Sequence, residues 1–409
     1  MKKQSKTIKK CQFSNKNDLK LIISLGYLPP VNKMEKIGGL RNESIFFPTD
    51  LVYSPTSKLV QLSSIVNKEI LFPKEYPYTS STTKILRDNF QELSKECEKI
   101  IPIDKKDLVV DIGSNDGNLL SNFKKYRVLG ITPEDIGKLA IKKGIPTLIK
   151  YFDYKTAKHV SNKYGKAKIV TATNVFAHID NLKQLIKNIL LILKKDGVFI
   201  SESHYFLPLV KTLQYDTIYH EHLRYYSLTS LKKIFDQFNL DIIHAKEIST
   251  HGGSIRVYVS RKGNYKVSKN IKKILTKEFK ELDWNHLVKF RDNVVMSKFE
   301  LMNLLKKLKS NNFKIFGIGA PSRASTLVNY VGITNEILDC ICEIEGSYKI
   351  GKYLPGTTIP ILSEKILYKQ KPDYLLLLSW HISKELITNI RKKGFKGKFI
   401  IPLPKPVVI

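Results

Sequence analysis

The run Leu108-Val109-Val110-Asp111-Ile112 passes straight into Gly113-Ser114-Asn115-Asp116-Gly117 and on into Asn118. This reads as a buried strand, a glycine-rich turn and the start of a helix. The glycines allow a tight turn and let a ligand approach bare backbone. The same alternation continues downstream. Residues 127–131 and 167–172 read as strands, and 182–193 as an amphipathic helix with Leu182, Leu185, Ile186, Ile189 and Leu193 on one face. Asp196-Gly197 then turns into the strand Val198-Phe199-Ile200. Strands that alternate with helices predict an α/β fold built on a doubly wound parallel sheet.

At 409 residues the chain is long enough for two or three domains, and 42% hydrophobic residues can fill their cores. Residues 1–80 read as a small, irregular unit punctuated by Gly26, Pro29, Pro30, Gly38, Gly39, Pro48, Pro55, Pro73 and Pro77. The alternating unit occupies 81–265, with a helix over 84–100 leading in, and a mostly helical linker covers 266–311. A second α/β unit spans 312–409, with strands at 314–318, 337–341, 374–379 and 398–401.

The net charge of +32 raises nucleic-acid binding as a possibility, but only nine of the 69 basic residues are arginine. The lysines are dispersed along the chain, whereas specific readers of nucleic acid favour the arginine fork. The reading is no nucleic-acid partner and a surface that favours an anionic small-molecule substrate. No run of eighteen apolar residues occurs, so no membrane span is expected. Met1-Lys2-Lys3 leads into no apolar stretch, so no signal peptide is expected. Four cysteines, Cys11, Cys97, Cys340 and Cys342, suit a reducing cytoplasmic compartment, and a monomer is expected there.

Asp111, at the end of its strand, suits a cationic amino group better than a diphosphate, which it would repel. That favours S-adenosyl-L-methionine over NAD. The segment resembles motif I of class I methyltransferases, and the resemblance extends along most of the chain. Ala172-Thr173-Asn174-Val175-Phe176-Ala177-His178-Ile179-Asp180 looks like the strand-four motif of that class. Tyr215-Asp216-Thr217-Ile218-Tyr219-His220-Glu221-His222-Leu223-Arg224-Tyr225-Tyr226-Ser227 resembles the signature of the sugar-nucleotide C-methyltransferases. His251-Gly252-Gly253-Ser254-Ile255-Arg256 and Leu354-Pro355-Gly356-Thr357-Thr358-Ile359-Pro360-Ile361 resemble two further motifs of theirs.

The resemblance implies a central class I methyltransferase (Rossmann-like) domain, a small N-terminal zinc-binding-type domain and a Rossmann-like C-terminal domain. It implies methylation at C3 of a nucleotide-linked 4-keto-6-deoxysugar through an enolate, which needs a base and donors for the oxyanion. His222 is the implied base, with Tyr219 and Glu221 as partners. His178 stands at the cofactor end of the pocket, and Tyr76 and Tyr78 lie in a segment that closes over the substrate. Asp111, Gly113, Asn115, Gly117 and Asn174 would hold the cofactor. Gly319, Ser322, Arg323 and Ser325, at a strand–turn–helix start, would hold the diphosphate. Arg256 is expected on the substrate side.

The pair His220 and His222 also invites a metal reading, but on a helix this spacing turns the rings to different faces. Two alternatives remain: an O-methyltransferase of a sugar, and a non-catalytic scaffold that keeps the fold. The chain also departs from the family. Its structural zinc normally sits in two C-x-x-C pairs, which here read Cys11-Gln12-Phe13-Ser14 and Ser54-Pro55-Thr56-Ser57. Serine is a poor zinc ligand, so no metal is expected. Thr132 stands where the family normally has an acidic residue that accepts the ribose hydroxyls, which leaves Glu134, Asp135 or Thr132 itself for that contact, with Asp153 a candidate for the adenine amine.

Overall fold

The computed structural model describes residues 4–39, 43–72 and 80–409. The central sheet has seven strands. From edge to edge they are Leu240–Ile248, Ser254–Arg261, Leu193–His204, Ala167–Thr173, Leu108–Ile112, Arg127–Thr132 and Thr147–Ile149. Six run in one direction, and Ser254–Arg261 is inserted antiparallel between Leu193–His204 and Leu240–Ile248. This order, with the last strand antiparallel, is the class I methyltransferase sheet. Alternation along Leu108–Ile112 places Val110 and Ile112 in a core with Leu182, Leu185, Ile186 and Ile189, while Val109 faces Phe90, Leu93 and Cys97 on the helix Lys84–Ile100. Both faces are therefore covered, and the strand ends that carry the glycine turn open at one edge. The expected turn at Asp196-Gly197 is absorbed within the twelve-residue strand Leu193–His204, which begins directly after the helix Leu182–Ile192 and carries an irregularity there.

The second sheet also has seven strands, ordered Lys352–Tyr353, Pro360–Ser363, Ile341–Glu343, Ile315–Ile318, Tyr374–Leu377, Lys398–Ile401 and Val407–Val408. Its centre is parallel and its two outer strands are antiparallel. The strand expected at 337–341 lies further on, at Ile341–Glu343. The linker region forms the helices Asn270–Glu281 and Trp284–Ser310.

The N-terminal unit is more regular than its turn residues suggested. Lys20–Leu28, Phe47–Ser54 and Leu59–Leu62 form an antiparallel sheet, and the fourth strand is Arg224–Tyr225, from the central motif. Ile22, Leu25, Leu51 and Val60 share one core with Leu287 and Phe290 of the long helix and with Phe316 of the C-terminal sheet. The positions of the degenerate zinc pairs are held by hydrogen bonds. Cys11 Sγ lies 3.1 Å from Ser57 Oγ, and Ser54 Oγ donates to both carboxylate oxygens of Asp18, at 2.9 and 3.0 Å. One thiol and three hydroxyls, one of them committed to Asp18, do not suit zinc. The purified protein is expected to carry no stoichiometric zinc and to keep its Tm in chelator. Near one zinc per chain by elemental analysis would contradict this.

Candidate active site

A cleft of about 300 Å³ opens at the ends of the central strands and is lined from all three regions of the chain. Gly113 sits on its wall with φ +77, and a Cβ there would lie 2.3 Å from Val175 Cγ2, so only glycine fits. Asp111, Asn115, Thr132, Glu134, Asn174 and His178 line the same cleft. Gly117 does not line it. A Cβ on Gly117 would meet Ile145 at 2.7 Å, which places that glycine in helix packing. Gly113, Glu134, Val175 and His178 also border a second, larger cleft of about 860 Å³, where Asp153 lies. The Asp153 carboxylate caps the helix Tyr154–Lys163 by accepting from Thr156 N at 2.8 Å.

The cofactor end is rich in unmatched acceptors. Asp111 is buried, and desolvation pushes its carboxyl up to about 7 against a 2.6 Å hydrogen bond from Thr171. Asn174 Oδ1 and Ser114 Oγ find no partner among the described residues, and both residues line the cleft. Buried acceptors short of donors suit a ligand that brings an ammonium group and ribose hydroxyls, and these residues fit S-adenosylmethionine. Thr132 Oγ1 donates to Glu134 Oε2 at 2.5 Å, which holds the displaced carboxylate on the pocket wall. Glu134→Ala is expected to weaken cofactor binding by about 1–3 kcal/mol, and Thr132→Val by less, as measured by titration calorimetry. No loss in either variant would show that the ribose is held elsewhere.

The central motif lines the same cleft. Tyr215–Thr217 is one turn of 3₁₀ helix, and the chain then coils back through Tyr219, Glu221 and His222. His222 Nδ1 donates to the Thr217 carbonyl at 2.8 Å, since a carbonyl can only accept, so Nε2 keeps its lone pair. Burial pulls its pKa down to about 4, helped by His251 and Arg323 and opposed by the Thr217 carbonyl, so the ring is neutral at physiological pH. The Tyr219 ring lies 4.2 Å from it, and burial together with Glu221 raises the Tyr219 pKa well above the usual range. That phenol therefore remains a donor. His220 turns away to Thr49 Oγ1, 3.0 Å distant, so the two histidines do not converge. Among the described residues no group of three or more His, Cys, Asp or Glu is placed to hold a metal.

Arg224 fastens the two segments together. Its guanidinium donates to the carbonyls of Ile179, at 2.7 Å, and of Asp180, which fixes His178 with its ring 5.1 Å from His222. Asn32 Nδ2 donates to Glu221 Oε1 at 2.5 Å and Ser322 Oγ to Asn32 Oδ1 at 3.3 Å, a line that joins all three regions.

Several expected residues are placed differently. Arg256 is fully buried behind the sheet, bonded to Glu202, Glu92 and Glu96 at 2.8–3.0 Å and to Asn89 Oδ1 at 2.8 Å. It does not line the cleft. Arg323 does line it, but its Nε and one terminal nitrogen both donate to Asp216 at 2.7 Å, and it lies over Trp380. Ser325 Oγ donates to the Pro355 carbonyl, and Gly319 is hemmed in by Ser379, so only Ser322 and Arg323 of that set reach the cleft. Tyr76 and Tyr78 lie outside the described residues; Phe72 and Ser80, on either side of them, both line the cleft. Three histidines not expected at the site, His204, His251 and His381, also line it.

This sheet, its glycine turn and the unmatched acceptors beside that turn define a methyltransferase of the S-adenosylmethionine-dependent class. A methyltransferase domain family matches residues 80–245, a C-methyltransferase C-terminal domain family residues 249–404, and a zinc binding domain family residues 11–72. C-methyltransferase NovU of Streptomyces niveus is 30% identical over 341 residues, covering 81% of this chain and 80% of that protein. Among solved structures, a SAM-dependent methyltransferase from Anabaena variabilis is 14% identical over 44% of this chain and 86% of its own, with a TM-score of 0.35. An S-adenosylmethionine-dependent methyltransferase from Clostridium acetobutylicum is 15% identical over 45% of this chain and 94% of its own, with a TM-score of 0.34. The chain belongs to the C-methyltransferase family and takes its methyl group from S-adenosylmethionine. Among the described residues no helix is long and apolar enough to cross a membrane.

Proposed function

We propose that the chain methylates C3 of a nucleotide-linked 4-keto-6-deoxysugar. The observation that carries this reading is the His222 tautomer, which leaves an unprotonated Nε2 on a residue that lines the same cleft as Gly113 and Asn174. A carbon beside a ketone becomes nucleophilic only after losing a proton, and His222 is the base for that step. Tyr219, kept protonated by burial, donates to the developing enolate oxygen. S-adenosylmethionine supplies the electrophilic methyl. Asp111, Asn115, Asn174 and Glu134 hold and orient it, with Gly113 giving room for close approach. Glu221 is tied to Asn32 and Ser322 and positions the sugar.

The diphosphate lies toward Ser322 and the start of the helix Ser322–Val331. Arg323 contributes less of its charge there than the sequence suggested, because Asp216 already neutralises it. A nucleotide-bearing acceptor and four free, buried cysteines suit the cytoplasm.

The test is incubation with S-adenosylmethionine and a panel of nucleotide-linked 4-keto-6-deoxysugars, read by mass and by NMR of the new methyl. A C-methyl at C3 is expected. A methyl on oxygen, or turnover confined to acceptors without a ketone, would defeat the reading.

A further inference from the structure

The cleft carries more imidazole than a single base requires. His178, His204, His222, His251 and His381 all line it. Their arrangement is directional. The His222 ring is 5.0 Å from His204, and His204 is 5.7 Å from His251. His178 also lies near His222 but stacks on Phe72, and among the described residues its ring meets no further histidine. We propose that His204 and His251 form the exit route for the proton that His222 removes from the acceptor carbon. This rests on the carbon-methylation reading of the site, though not on which sugar is bound.

The balance of the reaction requires an exit. The acceptor C–H bond breaks, its electron pair stays on the substrate as an enolate, and the proton forms an N–H bond at His222 Nε2. The enolate carbon then takes the methyl group, and the electron pair of the broken S–C bond goes to sulfur. Nothing in that exchange takes the proton back, so one proton per turnover is left on His222. Its Nδ1–H is already committed to the Thr217 carbonyl, and the added proton must leave from Nε2. Ring-to-ring separations of 5.0 and 5.7 Å bring direct or single-water transfer within reach.

Two further features favour this route. Burial, with His222, His251 and Arg323 next in effect, keeps His204 well below its ordinary pKa, so its ring is neutral and carries a lone pair when His222 takes up the proton. His251 has a left-handed backbone, φ 57, directly before Gly252 at φ 86 and Gly253 at φ 126. Its Nε2 is 3.4 Å from Nδ2 of Asn174, itself left-handed at φ 56. Two non-glycine residues in that region, bonded to each other on one pocket wall, mark a ring held in place by its surroundings.

Rapid-quench kinetics of His204→Gln and His251→Gln test the proposal. With the relay removed, His222 still accepts one proton. The first turnover is expected to be close to the wild-type rate, followed by a steady state at least about tenfold slower. Added imidazole should restore the steady state, and that phase should slow further in deuterated water. First and later turnovers slowed alike, neither slowed, or a burst that imidazole does not rescue would each overturn the relay. A carbon-methylated wild-type product without the burst in either variant defeats the relay alone. A wild-type product methylated on oxygen defeats the carbon reading, and the relay with it.

Discussion

His222→Ala is expected to lower methyl transfer by about 10²–10⁴-fold, the range for removing a general base. Cofactor affinity should stay within a factor of about two, because the role proposed for the imidazole is toward the acceptor carbon. Proton exchange separates this from a general loss of shape. With S-adenosylhomocysteine and keto-sugar in deuterated water, the wild type should exchange the acceptor C–H for deuterium, and His222→Ala should not. Methylation of the keto-sugar at a near wild-type rate by the variant would remove His222 from the mechanism. Loss of both activity and cofactor affinity would indicate that the ring supports the pocket instead.

A second large effect is expected at Arg256. This side chain has no exposure and is surrounded by Glu202, Glu92 and Glu96. Burial alone would raise the Glu96 carboxyl, yet hydrogen bonds from His244, Tyr258 and Arg256 hold it at about 2. Arg256→Ala leaves Glu202 buried without its cation, a loss of about 3–5 kcal/mol. A fall in Tm of roughly 10 °C should follow, with cofactor affinity in the cold, folded protein little changed. An unchanged Tm with lost substrate binding would return Arg256 to the ligand site.

Local pattern made the central sheet legible. Leu108–Ile112 and the face Leu182, Leu185, Ile186 and Ile189 carry their periodicity within a few residues. The N-terminal sheet was hidden because Gly26 and Pro48 fall inside its strands, Pro55 directly follows one, and its fourth strand lies more than 160 residues away in sequence, at Arg224–Tyr225. The site divided along the same line. Residues in the turn motif and the His222 segment are neighbours in sequence as well as in space. His204 is a single imidazole at the end of a strand, and nothing local sets it apart from a structural histidine; His251 opens a family-like motif, but only the fold brings it beside His204. The ligand-like motif at Arg256 misled because its partners at 92, 96 and 202 come from other elements. Arg323 misled in the same way, since Asp216 is over a hundred positions away.

The pairing of Arg224–Tyr225 with Leu59–Leu62 has a consequence for how this chain is assembled. A small module that has given up three of four metal thiolates must find its order elsewhere. Here its sheet ends on two residues that directly follow the base-bearing turn, and Arg224 also fixes the loop that carries His178. The order of the module and the shape of the candidate site therefore rest on the same two residues. The last strand edge of the module is supplied by the segment that carries the proposed base.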